Sequence, residues 1–130
     1  MAEQKVYCAS AASDVYRAVS SVLGRERFWA EEAPEADGVI SFLLADGRRD
    51  ESRIVHAVQD QLYELRYFGN TWTFRLLPAA AGGTDLALTS DDPDDVPELV
   101  SLLLRLKASV DFGVDLRNHD ASRSTYYADS

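Results

Sequence analysis

Between Val39 and Ser90 apolar and polar residues alternate with a period of two, interrupted by turn-forming residues about every eight to fifteen positions. That pattern predicts an antiparallel meander. Beyond it the period changes. Leu99, Leu103, Leu106, Val110 and Val114 recur at intervals of three and four, flanked by Val96, Val100 and Leu102. This predicts one long helix, Asp95 to Asn118, with a single apolar stripe that needs a sheet to lie against. Asp95 suits its N-cap, Pro97 its first turn, and Glu98 the capping-box position, while Asp91, Asp92 and Asp94 complement the dipole. Asn118 can end it in a left-handed conformation. Gly113 falls on the stripe, where it permits a close approach, a bend, or plain packing. Leu104, Phe112 and Leu116 interrupt the wetter side and suit contact with the amino-terminal segment or a second subunit. Upstream, Gln4 to Ala9 reads as a strand. Ser13 then caps a helix that Gly24 terminates, and Arg25 to Ala30 makes a further helical turn anchored by Phe28 and Trp29.

The hairpins can be registered by counting. With Gln59 and Asp60 as a two-residue turn, His56 faces Tyr63 and Ile54 faces Leu65. With Gly69 and Asn70 as the next turn, Tyr67 faces Trp72, Leu65 faces Phe74 and Tyr63 faces Leu76. Both counts put Ile54, His56, Tyr63, Leu65, Tyr67, Trp72, Phe74 and Leu76 on one face. Ala45, Asp46 and Gly47 either form a three-residue turn or leave Ala45 in the ladder; the first choice buries Phe42 with Ile40 and Leu44 and is preferred. Ala79 to Gly83 is a loop, after which Thr84 to Ser90 returns with Leu86 and Leu88 inward. The fold class is therefore α+β: a curved antiparallel sheet of about six to seven strands covered by a C-terminal helix. A single helix cannot fill the concave side of a sheet that curls, so a cavity is expected between them.

Composition bounds the rest. At 130 residues the chain is expected to form a single domain, with residues 119–130 as a C-terminal tail. Its formal charge of -9 argues against nucleic acid as a partner, because phosphate backbones reward Lys and Arg. The polar start, Met1 to Lys5, lacks the apolar run of a signal peptide, and no apolar stretch is long enough for membrane insertion. A lone cysteine, Cys8, excludes an internal disulfide, and a cytoplasmic location is the simplest expectation.

With these elements placed, the sequence resembles the START-like superfamily, also called SRPBCC or helix-grip. Its nearest resemblance is to the bacterial polyketide cyclase and dehydratase members and the heat-shock ATPase activator homologues. The resemblance rests on Ala12-Ser13-Asp14-Val15-Tyr16, Gly82-Gly83-Thr84 and Leu106-Lys107-Ala108-Ser109-Val110-Asp111-Phe112-Gly113. The segment Asp115-Leu116-Arg117-Asn118-His119-Asp120 looks like the end of the family's last helix, continued here by Ser122-Arg123-Ser124-Thr125-Tyr126. What the resemblance implies is a cavity for a lipid, polyketide, hormone or other small hydrophobic molecule.

The candidate ligand-binding residues are Phe42, Ile54, His56, Tyr63, Tyr67, Trp72, Phe74, Leu106, Val110, Gly113 and Arg117. His56 beside Tyr63 is the one inner-face pair able to supply acid or base to a cyclase-type reaction; the plainer reading is a histidine satisfied within the core. Asp and Glu are absent from that face, which weighs against an enzyme. Arg117 either meets a ligand carboxylate at the cavity mouth or bonds the carbonyls at the helix end. His119 and Asp120 lack the further converging groups a metal needs, and Asp91 to Asp95 lacks the spacing of a calcium loop. No cofactor or metal is expected. The leading expectation is a non-enzymatic apolar-ligand-binding domain. The alternatives are a cyclase or dehydratase using His56 and Tyr63, and a protein-binding module like the chaperone ATPase activators. A homodimer is compatible with the apolar residues on the outside of the helix.

Overall fold

The computed structural model describes residues 1–120, 122, 128 and 129, so most of the expected 119–130 tail, including 123–127, lies outside the described residues. The elements are β1 (Ala2–Cys8), α1 (Ala12–Ser20), α2 (Val22–Glu26), β2 (Glu35–Ala36), β3 (Val39–Leu43), β4 (Arg49–Val58), β5 (Leu62–Tyr67), β6 (Asn70–Pro78), β7 (Thr84–Ser90) and α3 (Val96–Phe112). A 3-10 turn at Pro93–Asp95 leads into α3. Seven strands form one sheet in the order β1-β7-β6-β5-β4-β3-β2, with every neighbouring pair antiparallel.

The turns decide which side chains reach the concave face. Between β3 and β4, Leu44 N–H donates to Arg48 O (2.8 Å) around Ala45, Asp46 and Gly47, the three-residue turn expected. Ile40, Phe42 and Leu44 are buried accordingly. Between β4 and β5 the turn has three residues rather than two, because Asp60 adopts a left-handed conformation (φ 63) and Val58 pairs with Leu62. This shifts the register by one, and a bulge between Ile54 and His56 shifts it back. Ile54 therefore faces Leu65 as expected, but His56 lies opposite Glu64, and Ala57 takes the place beside Tyr63. A one-residue slip exchanges the faces of a strand, so the His56 side chain is exposed and the expected His56–Tyr63 pair does not form.

The next hairpin turns at Phe68 and Gly69 (φ 47 and 81), one position earlier than expected. Tyr67 pairs with Asn70, Leu65 with Trp72 and Tyr63 with Phe74. This displaces the expected pairing by two, and a shift of two preserves faces. Trp72, Phe74 and Leu76 remain buried, as do Leu86 and Leu88 on β7.

Helix α3 stops at Phe112, short of the expected Asn118, because Gly113 takes the left-handed conformation (φ 65) that ends helices. The N–H groups of Gly113 and Val114 then bond Ser109 O and Ala108 O, both at 3.0 Å. Gly113 and Val114 are consequently exposed, not part of the buried stripe. The face that does bury consists of Leu99, Leu102, Leu103 and Leu106, with Val110 half-buried. The expected capping box is absent: Asp95 accepts from Ser90 Oγ (2.6 Å), and Asp92 caps the preceding turn through Asp94 N–H (2.9 Å). Nor does Ser13 cap α1, which starts at Ala12 without a side-chain cap. Ser21, not Gly24, separates the first two helices, its Oγ accepting from Gly24 N–H (3.0 Å). A Cβ on Gly24 would stand 2.5 Å from Arg17 O, so α1 and α2 meet backbone to backbone.

Helix α3 lies closest to β1, with β7 and α1 beside it, and α1 approaches β5 and β6. Asp111 fastens the helix to the β1–α1 connection. Its carboxylate accepts from Ala9 N–H (2.8 Å), Ser10 N–H (3.0 Å) and Ser10 Oγ (2.6 Å). Over β3, the concave side is covered instead by the loop that follows α2.

Candidate functional site

That loop carries the residue around which the site is built. Phe42 on β3, Tyr67 on β5, and Trp72 and Phe74 on β6 converge on the concave face, where alternation on the strands was expected to bring them. The space between them is filled by Trp29. Its ring lies 4.7 Å from Phe42, 5.4 Å from Tyr67 and 5.5 Å from Phe74. Tyr67 in turn touches Phe42 (5.2 Å) and Trp72 (4.8 Å), so five rings form one continuous cluster. An internal hollow large enough for water would leave accessible surface on its walls. None of these five side chains is more than 5% exposed, and Leu65 and Leu106 are at 0%. The concave face over β3, β5 and β6 is thus filled by an indole of the protein itself, and Ile54 and Val110 are half-buried against the core. Trp29 was legible as an anchor, but nothing in its spacing marked it as the occupant.

Within this apolar cluster the polar chemistry is sparse. Trp29 Nε1 donates to the Tyr67 hydroxyl (3.2 Å), whose own proton has no acceptor among the described residues. Burial pushes the Tyr67 phenol well above its ordinary range, so it stays a neutral donor. Tyr63 stands apart, edge-on to Tyr16 (5.8 Å), its buried hydroxyl without a hydrogen-bond partner among the described residues. Burial pushes it up to about 12, against the opposing pull of nearby Arg25. Arg25 is itself fully buried, donating to Val19 O (3.2 Å) and Ala33 O (3.0 Å), with Glu35 at 3.5 Å. It fixes α2 to the loop that follows it.

At the rim, a cleft of about 130 Å³ opens between the start of α3 and the β5–β6 hairpin. Tyr67, Phe68 and Trp72 line it with Arg48, Asn70, Asp95 and Glu98. Arg48 stacks over Phe68 (5.2 Å) while bonding Asp46 (2.8 Å). Glu98 is raised above the usual carboxylate range by burial, with Arg48 acting in the opposite sense. The cleft reaches two members of the aromatic cluster from outside.

Arg117 does not face this cluster. Because α3 ends at Gly113, the chain turns back and 114–120 runs along the loop that bears Trp29. Arg117, 8% exposed, donates through Nη1 to Ala30 O (2.7 Å) and through Nη2 to Glu26 O (2.6 Å). Of the two roles weighed for it, bonding carbonyls is the one observed, although they belong to α2 and its loop rather than to its own helix. Asp115 braces the guanidinium from the other side at 3.0 and 3.1 Å. Burial would raise the Asp115 carboxyl, but hydrogen bonds from Arg117 and His119 outweigh it and hold it at about 2. His119 lies between Glu31 and Asp115.

Among the described residues, no group of three His, Cys, Asp or Glu side chains is placed to hold a metal. No helix among them is long and apolar enough to cross a membrane. Cys8 is fully buried, and burial pushes its thiol to about 11.

A seven-stranded antiparallel sheet closed by α1, α2 and a long C-terminal helix is the helix-grip, START-like fold. Solved structures share it. A Staphylococcus saprophyticus protein, SSP2350, superimposes with a TM-score of 0.74 at 20% identity, covering 88% of this chain and 94% of that one. An Aha1 protein from Colwellia psychrerythraea, described as a dimer, gives 0.75 at 13% identity, covering 85% and 96%. DynU16, from the dynemicin biosynthetic locus, gives 0.71 at 16% identity, covering 85% of this chain but 47% of that one. No family model and no curated protein matches the sequence. At these identities the shared property is the fold.

Proposed function

We propose that this chain is a non-enzymatic binding domain whose ligand is a small, planar, mostly apolar molecule, and that its seat is the space now filled by the Trp29 ring. One observation carries the reading. Of the five rings, four sit on strands and are fixed by the sheet ladder, whereas Trp29 sits on an irregular loop and can leave without breaking a strand. A ligand replacing it meets three aromatic faces and one hydroxyl donor, Tyr67, and the rim cleft offers a first contact. The seat suits a molecule of indole size, comparable to the benzene that an apolar cavity of about 150 Å³ accepts. A cyclase-like reaction would need groups other than His56 and Tyr63, which stand on different faces.

The test is a titration with fluoroindole, followed by fluorine NMR and by the emission of Trp29 and Trp72, the chain's two tryptophans. Trp29→Ala should bind it saturably and be stabilised by it. Wild type should bind more weakly, by the fraction of molecules in which Trp29 has left. Absence of saturable binding by both proteins would refute the seat.

A second reading is favoured by the exposed Leu104, Phe112, Val114 and Leu116, between 46% and 70% accessible, along the outer side of α3 and the segment after it. Contact with a second copy of the chain would cover them, as befits a fold-mate described as a dimer. Light scattering should then give twice the mass of 14.4 kDa, and Phe112→Asp should return it to one.

A further inference from the structure

We infer that the segment 114–120 is a strap that holds the Trp29 loop closed, so that access to the proposed seat is set by the contacts of Arg117. This rests on the reading of Trp29 as a displaceable occupant. Besides Arg25, which bonds Val19 O and Ala33 O, Arg117 is the described side chain that bonds backbone on both sides of Trp29, and it comes from a distant part of the chain, taking Glu26 O and Ala30 O with two nitrogens of one guanidinium. Nearest the occupant, the backbone ties run to Arg25, where Trp29 N–H (2.8 Å) and Ala30 N–H (3.2 Å) share one carbonyl oxygen. These end the short helix α2, and from Glu31 onward the loop is held to β3, where the N–H groups of Glu31 and Glu32 bond Leu43 O (2.8 and 3.3 Å), so the backbone between Glu26 and Ala30 lies between two anchored ends. Ala33 N–H, bonded to Glu26 Oε2 (2.9 Å), is a further contact internal to the same segment. The guanidinium therefore joins the occupant's backbone to the carboxyl-terminal part of the chain. A planar fork serves this because it fixes two acceptors at once while Asp115 occupies its remaining edge.

The strap begins at a single residue, Gly113, whose left-handed conformation points the chain back toward the loop instead of continuing α3. Glu31, on the loop, and Asp115, on the strap, both contact His119, which adds a second bridge between the same two segments. Loosening the bridges frees the backbone of Glu26 to Ala30 and increases the fraction of molecules with Trp29 withdrawn. Apparent affinity for a molecule that takes its place rises in proportion to that fraction.

The experiment compares fluoroindole affinity in the full-length wild type, Arg117→Ala, Trp29→Ala and the double variant, with acrylamide quenching of tryptophan emission measured in parallel. Arg117→Ala should raise affinity about tenfold, the change expected if the withdrawn population grows from about 1% to about 10%. Quenching should increase with it. In the Trp29→Ala background the same substitution should change affinity less than about twofold, since no occupant remains to be held. Should Arg117→Ala fail to melt cooperatively, Asp115→Asn, which removes the charge and one acceptor oxygen of the brace but keeps the carbonyl bonds, should give a smaller increase in the same direction. If Trp29→Ala binds fluoroindole while Arg117→Ala and Asp115→Asn bind like wild type, the strap is refuted and the seat stands. If Trp29→Ala does not bind it, the seat itself is wrong.

Discussion

Replacing Asp111 should test how the helix is held to the sheet. Its side chain is 2% exposed and accepts from two backbone N–H groups and the Ser10 hydroxyl. The hydroxyl has an alternative acceptor in Val110 O (3.0 Å), so truncation strands chiefly the N–H groups of Ala9 and Ser10. Hydrogen bonds to a charged acceptor contribute about 1.5–3 kcal/mol each, and neighbouring bonds are not additive. Asp111→Ala should therefore destabilise by about 3–4 kcal/mol. With an unfolding entropy of about 2.1 cal/mol/K per residue over 130 residues, that lowers Tm by roughly 11–15 °C. Asp111→Asn, which keeps one acceptor oxygen, should lose about half as much. Although burial would raise the carboxyl, its hydrogen bonds from Ser10 and Ala9 prevail and lower it below 3.8. The stabilisation is accordingly present above that value and is lost as pH falls through the lowered one, so the alanine variant should show a flatter acid limb. Melting by circular dichroism between neutral and acid pH reads all three effects. An alanine variant melting within about 2 °C of wild type would refute the clamp.

Further expectations follow from single features. Gly83→Ala should lower Tm well beyond Gly82→Ala, because both sit at positive φ but only at Gly83 does a Cβ meet Cys8 O (2.5 Å) and Tyr7 Oη (2.6 Å); paired thermal melts check it. Cys8, buried with its thiol at about 11, should react with a thiol reagent only as fast as the β1–β7 pairing opens, and mild denaturant should speed it. His119 is raised above 6.5 by hydrogen bonds to Glu31 and Asp115, with Arg117 opposing. Its bridge is fully formed below 6.5 and lost as pH rises through the raised value, so acrylamide quenching of tryptophan should grow on the alkaline side and be pH-insensitive in His119→Gln.

Which side chains face inward was legible in the sequence because strand alternation survives any even error of register. The turn at Phe68-Gly69 fell one position from the expected Gly69-Asn70, yet Trp72 and Phe74 kept their face because the pairing moved by two. His56 did not, because Asp60 tolerates a left-handed conformation and so lengthens the turn by one, an odd change. The helix end was obscured by Val114, which continues the apolar spacing one turn past Val110 and lies just beyond Gly113; the glycine's freedom at positive φ outweighed that spacing. Trp29 left no periodic signal at all, since it lies on an irregular loop and its partners are strands distant in sequence. The strap was hidden for the same reason, because Arg117 was placed on a helix that had already ended.

The bulge in β4 behaves as an expansion joint. Extra length at the Gln59–Gln61 tip is absorbed before Ile54, so the pairing of Ile54 with Leu65, and all that lies deeper, is insulated from what happens at the hairpin's outer end. A short peptide tag spliced in at Asp60 should leave the aromatic cluster undisturbed, which makes that tip the natural handle for tethering this molecule to a surface.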